Sequence, residues 1–329
     1  MITGATGFVG RHLLASFLHS NQPIIAIYRN EKKKEETVFF LENQSLTPKH
    51  LQDIKWRKAN LNDWASLEEA YQGVTKVFHC AALVSLFPGR EEKMMATNVN
   101  GTIQMLNLAQ KNKIEWFGYI SSIAALGNAN KGKTIDTNHT WNKDETHTAY
   151  AYTKHLAELE VWKAMEEGLR GAILNPGVIL GLEHYQSPLQ QILSHTKGPR
   201  TFVSSGSTGF VSINDVVRAA HWIYDDSIHK RRFILVSENW TYQQFFEKIS
   251  KNLSHPPKIK KLSQKQLWLI YKLEQLLRLF GRKRRLSRAL IHSLSATSIY
   301  NGNQITETSK DFTYDDLEKE LSQLLRKSN

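Results

Sequence analysis

Short apolar runs alternate along this chain with longer stretches in which hydrophobic positions recur every three or four residues. The runs are PIIAIY (23–28), KVFHCAALV (76–84), EWFGYISS (115–122), GAILNPGVIL (171–180) and RRFILVS (231–237). Helical patterns lie near 65–72, 91–112 and 149–168. Strands apolar on both faces, with helices between them, predict an α/β fold: a doubly wound parallel sheet, or Rossmann fold, covered by helices. Crossovers in such a sheet are right-handed, and ligands bind at the carboxyl ends of its strands. The pattern assigns residues 1–180 to this domain. From about residue 181 it loosens into LEHYQSPLQQILSHTKGPRTFVSSGSTGF, with Pro188, Pro199 and several glycines. Thr241 and Gln244 form a capping box before the helical YQQFFEKISKNL, HPPK breaks the pattern, and a second helical region covers 263–294. Residues 181–329 are expected to form a smaller, mostly helical substrate lobe, with strand 231–237 returning to the sheet.

The opening stretch MITGATGFVG adds chemistry to that frame. Gly4, Gly7 and Gly10 lead into the helical pattern Val9, Leu13, Leu14, Phe17 and Leu18. Such a strand-to-helix turn leaves N–H groups unpaired at a helix N-terminus, where the dipole favours an anion and absent side chains admit a pyrophosphate. Thr6, Phe8 and Val9 belong to the same candidate cradle. The strand before it would comprise only Met1, Ile2 and Thr3, whereas a central strand normally runs about 5–6 residues. A start site upstream of Met1 is the expectation; a sheet that tolerates a stub is the alternative.

Composition narrows the classes. The 329 residues include 41% hydrophobic and 22% charged residues, ordinary values for a globular chain. A single cysteine, Cys80, precludes an internal disulfide and points to a reducing, cytoplasmic setting. No apolar run reaches spanning length, and the N-terminus lacks a signal-peptide layout. No metal site is expected. The net charge of +12 suits either solubility or attraction to something anionic.

A dinucleotide held by the opening glycines would place its adenosine ribose at the end of the second strand. An acidic residue there reads a 2′-hydroxyl, whereas an arginine accommodates a 2′-phosphate. This strand ends in Arg29, followed by Lys32, Lys33 and Lys34. NADP is therefore expected, with NAD as the alternative cofactor and a solvated basic turn as the competing reading. The helix TAYAYTKHLAELEVWKAMEEG puts Tyr150 four residues before Lys154 on the same face, while Tyr152 points elsewhere. For base chemistry at neutral pH the ammonium must stabilise the phenolate by about 3–4 kcal/mol. Such a pair moves the proton of an alcohol while a nicotinamide moves the hydride. Of the strand-end pair Ser121 and Ser122, Ser122 is placed to bond the substrate oxygen.

Taken in order, the glycine loop, arginine, strand-end serine and tyrosine–lysine pair resemble the extended short-chain dehydrogenase/reductase superfamily of the NAD-dependent epimerase/dehydratase type. The likeness covers nearly the whole chain and is greatest to the dihydroflavonol-reductase and 3β-hydroxysteroid-dehydrogenase-like branch. TGATGFVG matches the family's cofactor loop. ANLNDWASLEEAYQGVTKVFHCAA implies that Asn60 and Leu61 contact adenine and that Ala81 and Ala82 flank the cofactor, with Asn60 standing where the family usually has aspartate. NVNGT implies that Asn98 stabilises the core of the site. YAYTK and SSIAALG imply a catalytic triad of Ser122, Tyr150 and Lys154. NPGVILG implies Pro176 and Gly177 near the nicotinamide, with Asn175 in place of the usual arginine. The resemblance also implies a homodimer through helices including 91–112 and 149–168.

Two absences bear on substrate. Sugar-nucleotide dehydratases of the superfamily carry an acidic pair where this chain has Ile123 and Ala124. Epimerases place a diphosphate-clamping arginine before the late strand, where this chain reads GSTGFVSIND. Leu86, Phe87 and Tyr185 are available to line an apolar pocket or to pack the lobe. The expected activity is an NADP-dependent oxidoreductase interconverting a ketone or aldehyde with a secondary alcohol on a largely apolar small molecule. A nucleotide-sugar epimerase or dehydratase, and an NADP-binding regulatory protein with little turnover, are the alternatives.

The segment KIKKLSQKQLWLIYKLEQLLRLFGRKRRLSRALIHSL concentrates much of the positive charge. Leu267, Trp268, Tyr271, Leu276, Leu277 and Phe280 form a candidate apolar face that either packs as a lid or brings residues 258–292 against an anionic membrane. No nucleic-acid-reading module accompanies the charge, so no nucleic-acid partner is expected.

Overall fold

Burial on both faces explains why the strongest apolar runs become central strands: every residue of Trp116–Ile120 and Gly171–Pro176 is buried. In the computed structural model, which describes residues 1–19, 23–86, 88–128, 133–181, 198–278 and 286–328, these belong to a seven-stranded sheet. Its strands are β1 (Ile2–Thr3), β2 (Ile24–Tyr28), β3 (Ile54–Lys58), β4 (Lys76–His79), β5 (Trp116–Ile120), β6 (Gly171–Pro176) and β7 (Arg231–Leu235). All pair in parallel, in the order 3-2-1-4-5-6-7. The order reverses between β1 and β4, so the loops leaving these strands diverge and open a crevice there. Although only two residues long, β1 is central, pairing Ile2 with both Ala26 and Phe78.

Helices cover both faces, as the runs require. Phe8–His19 and Ile213–Asp225 bury Leu13, Phe17, Val216, Ala220 and Ile223 on one side. Gly101–Lys111 and Ala149–Glu166 bury Met105, Leu108, Ala157 and Val161 on the other. The helical region predicted over 91–112 is interrupted: between Glu91–Met94 and Gly101–Lys111 the chain widens into a π-type turn, Met95–Asn100.

Beyond β6 the chain builds small sheets, most of whose strands the sequence pattern did not suggest. Val178–Leu180, the end of the run GAILNPGVIL, joins Ser207–Ser212 and Glu238–Thr241 in one, and Arg200–Ser204 pairs with Lys258–Leu262 in another. KIKKL is too basic to read as a strand until it has that partner. The capping box at Thr241 and Gln244 opens the helix Tyr242–Ser250. Together with helix Leu317–Ser328 it encloses a separate core of Leu180, Phe210, Trp240, Phe245, Leu317 and Leu321. Glycines sew this part to the main sheet. A Cβ on Gly177 would lie 2.5 Å from the Gly209 carbonyl oxygen, and one on Gly302 would lie 2.1 Å from that of Val236. The region predicted as helical over 263–294 contains helices Gln264–Arg278 and Arg288–Ser295. On the first, Leu267 is buried, Trp268 packs edge-on against a half-buried Tyr271, and Leu276 is 60% exposed, so the residues singled out from the sequence are divided between the two sides of the helix. Phe280 lies outside the described residues.

Candidate active site

The glycine loop is shaped by contacts no side chain could share. Gly4 has φ of +65°, and a Cβ there would stand 2.7 Å from the Ala81 backbone. A Cβ on Gly10 would lie 2.1 Å from the Gly4 carbonyl oxygen, while Gly7 N–H donates to that oxygen at 2.8 Å. Helix Phe8–His19 starts directly from this turn, so its first N–H groups have no partner within the helix. Thr6, Phe8 and Val9 are half-buried around the turn, and Ala81 closes its far side through an N–H to the Thr3 hydroxyl at 3.4 Å. Ala82 is exposed beyond it. A side-chain-free concavity at a helix N-terminus, at the switch point of a parallel sheet, fits a dinucleotide pyrophosphate.

Arg29 is exposed at the end of β2. The adjacent Asn30 side chain accepts from Lys33 N–H at 3.1 Å and caps the next helix, while Lys34 is tied to Glu31 at 2.6 Å. Arg29, Lys32 and Lys33 are left facing solvent. At the end of β3, the Asn60 side-chain oxygen accepts from Asn62 N–H at 3.3 Å and Leu61 packs against Gly101. That oxygen is engaged in its own turn.

Thr148 caps helix Ala149–Glu166 by accepting from Ala151 N–H at 3.2 Å. The helix carries Lys154 inward: it is 1% exposed, and its Nζ donates to the Tyr119 hydroxyl and the Ile120 carbonyl, each at 2.9 Å. Tyr152 is half exposed and faces away, as its spacing dictates. Burial pushes the Lys154 ammonium down to about 7, with the Glu158 carboxylate working against the shift. Tyr150 is half-buried; burial raises its phenol above the ordinary value, and a side-chain hydrogen bond with Ser122 opposes that. This is the opposite of the direction base chemistry needs. Ser122 follows β5 in extended conformation, its Oγ accepting from Ala124 N–H at 3.2 Å. Ser122, Tyr150 and Lys154 thus converge at the carboxyl end of β5, and Lys154 acts electrostatically on His79 and Cys80, which lead into Ala81.

Of the groups that support the site, Glu158, Arg232 and the His79 chain were not read from the sequence. Glu158, one turn beyond Lys154 on the same face, is 3% exposed and accepts from Ser121 Oγ at 2.6 Å, Asn175 Nδ2 at 2.7 Å and Arg232 Nη1 at 3.1 Å. Asn175 also donates to the Ser122 carbonyl at 3.1 Å. The cation absent from position 175 is therefore supplied across the sheet by Arg232 on β7, which also donates to the carbonyls of Thr137 and His139. Glu158 was detectable by its spacing; Arg232 had no local signal. Asn98, on the π-type turn, joins the loop after β4 to the catalytic helix. It bonds both Leu83 N–H and C=O, at 2.7 and 3.0 Å, and Thr153 Oγ1 at 3.1 Å. A buried chain of Thr3, His79 and Thr102 runs beneath, with His79 driven down to about 3 by burial and the Lys154 charge. Pro176 is buried at the end of β6 and Gly177 follows it. Leu86 is 53% exposed, while Phe87 and Tyr185 lie outside the described residues.

Because the buried Lys154 binds its proton less tightly folded than unfolded, stability should rise with pH between about 7 and the ordinary lysine value, at up to about 1.4 kcal/mol per pH unit. Lys154→Met should flatten that rise, the slope rather than absolute stability being the readout in urea unfolding across this range. An unchanged slope would assign the titration elsewhere.

A family model described as male sterility protein, of the NAD-binding type, matches residues 2–223. Sterol demethylase protein B of Methylococcus capsulatus is 26% identical over 260 residues, covering 78% of this chain and 75% of that protein. Tetraketide alpha-pyrone reductase 2 of Arabidopsis thaliana is 27% identical over 281 residues, covering 81% and 86%. The fold is shared with the Bordetella bronchiseptica enzyme WbmH, solved in complex with NAD+, at a TM-score of 0.72 and 16% identity, covering 99% of this chain and 96% of that one.

Proposed function

Since the chain belongs to the male sterility protein family of NAD-binding proteins, within the extended short-chain dehydrogenase/reductase superfamily, we propose that it is an NADP-dependent reductase of apolar ketones or aldehydes. The observation that carries this reading is the Lys154 ammonium, fixed by Tyr119 and the Ile120 carbonyl one helical turn from a Tyr150 phenol that meets Ser122. The nicotinamide, when bound, supplies or accepts the hydride. Gly4, Gly7 and Gly10 with the helix N-terminus would hold its pyrophosphate, and Arg29 its 2′-phosphate. Ser122 donates to the substrate oxygen and orients it. Tyr150 delivers the proton from its hydroxyl to that oxygen as the hydride arrives. Lys154 steadies the phenolate left behind and keeps an N–H free for the cofactor ribose, two of its three being held by the protein.

Ile123 and Ala124 beside Ser122 offer no acid–base group for elimination, which favours an apolar carbonyl over a sugar nucleotide. The reductases among the relatives support the same class. The outer faces of helices Gly101–Lys111 and Ala149–Glu166, with Leu159 exposed, are open for the homodimer the resemblance implies. The cytoplasm is the compartment that suits its single thiol. Loss of NADPH absorbance across a panel of apolar ketones, sterols and nucleotide sugars tests the assignment. Stoichiometric NADPH oxidation with a ketone is expected; sugar interconversion without net oxidation would replace it with an epimerase. Arg29→Ser should raise the KM for NADPH by roughly 10–100-fold, the value of a charge-assisted hydrogen bond, and leave that for NADH nearly unchanged. Equal effects on both cofactors would remove Arg29 from the 2′-phosphate site.

A further inference from the structure

Helix Gln264–Arg278 is apolar on the side turned away from the protein. Leu269, Ile270, Leu273 and Leu276 are 70, 41, 54 and 60% exposed, although Leu267 on the opposite side is already buried. A surface helix normally hides its apolar stripe and shows a polar one. Positions 269, 273 and 276 are spaced i, i+4 and i+7, so these side chains form one outward stripe, with Ile270 beside it. Lys265 and Lys272 flank it on one edge, both exposed. Strand Lys258–Leu262, which leads into this helix, adds exposed Lys258, Lys260 and Lys261. Its partner strand contributes Phe202, 57% exposed and directly opposite Lys260 in the parallel register. None of the five lysines enters an ion pair among the described residues.

We propose that this surface docks the protein on an anionic lipid bilayer, the leucine stripe entering the headgroup boundary and the lysines meeting lipid phosphates and carboxylates. An outward apolar stripe edged by cations is the signature of a helix lying in such an interface. Each lysine near an anionic surface contributes about tenfold or somewhat less to partitioning. Charge argues against a second copy of the chain as the occupant. A two-fold contact would set each set of lysines against its equal, which is repulsive. The surface is separate from the Ser122, Tyr150 and Lys154 site, so the proposal does not depend on the reductase assignment.

Flotation of the full chain tests it, with phosphatidylcholine vesicles compared with vesicles that also contain phosphatidylserine. The wild type should rise with the phosphatidylserine vesicles at low salt and be released at high salt. The variant Lys258→Gln/Lys260→Gln/Lys261→Gln should partition on the order of 100-fold more weakly. The variant Leu269→Gln/Leu273→Gln/Leu276→Gln should lose flotation even at low salt. Both variants should retain NADPH binding by fluorescence, which separates lost docking from lost folding. Failure of the wild type to float with phosphatidylserine vesicles, or unaltered flotation of both variants, would overturn the proposal. So would a wild-type oligomer that the leucine variant dissolves while no form floats, since the stripe would then belong to a second copy.

Discussion

Replacing Tyr150 with Phe should lower turnover by roughly 10²–10⁴-fold, the range contributed by a positioned proton donor. The substitution removes one oxygen and keeps the ring, so the half-buried packing of residue 150 survives. Lys154 keeps its bonds to Tyr119 and Ile120, because neither involves the lost hydroxyl. Affinity for NADPH should therefore stay within a few-fold of the wild type, measured by fluorescence titration, while kcat falls. That split is the signature of a group engaged in the proton step rather than in binding. A wild-type rate in the variant would remove Tyr150 from the chemistry. A joint loss of cofactor binding and turnover would mean instead that the phenol organises the cradle.

Replacing Arg232 with Met should destabilise the fold by about 3–5 kcal/mol, the cost of leaving a buried carboxylate without its cation. Glu158 is 4% exposed at its side chain, so water cannot take over. Ser121 and Asn175 still donate to it and the Lys154 ammonium still acts on it, which places the loss toward the lower end of that range. Arg232 also holds the carbonyls of Thr137 and His139, so the loop before the catalytic helix should loosen as well. Urea unfolding of Arg232→Met, Glu158→Gln and the double variant forms a cycle that isolates the pair. The double variant should recover part of the loss, because the stranded charge is gone. If Arg232→Met unfolds like the wild type, the pair does not bear on stability.

The frame of the site was legible because each part left a local mark. Gly4 and Gly10 are forced by backbone approach, Tyr150 and Lys154 by helical spacing, and the central strands by uninterrupted burial. What stayed hidden depends on partners far along the chain. Arg232 reaches Glu158 across 74 positions, and nothing in RRFILVS distinguishes its second arginine from its first. Lys258–Leu262 becomes a strand only beside Arg200–Ser204, whose Thr201 and Val203 turn inward while Phe202 turns out. Which side of helix Gln264–Arg278 packs was not legible, because both of its faces are apolar and periodicity alone cannot say which one is covered.

The glycines joining the sheet to the part that follows it limit how the molecule can move. Gly177 donates its N–H to the Leu235 carbonyl at 2.9 Å and lies backbone to backbone against Gly209. Swinging the two halves apart like a book would have to separate the Gly177 and Gly209 main chains, which are packed without intervening side chains. Entry and exit of a substrate must then proceed by rearrangement of the loops at the rim, and turnover should be slowed by stiffening those loops rather than by bracing the spine.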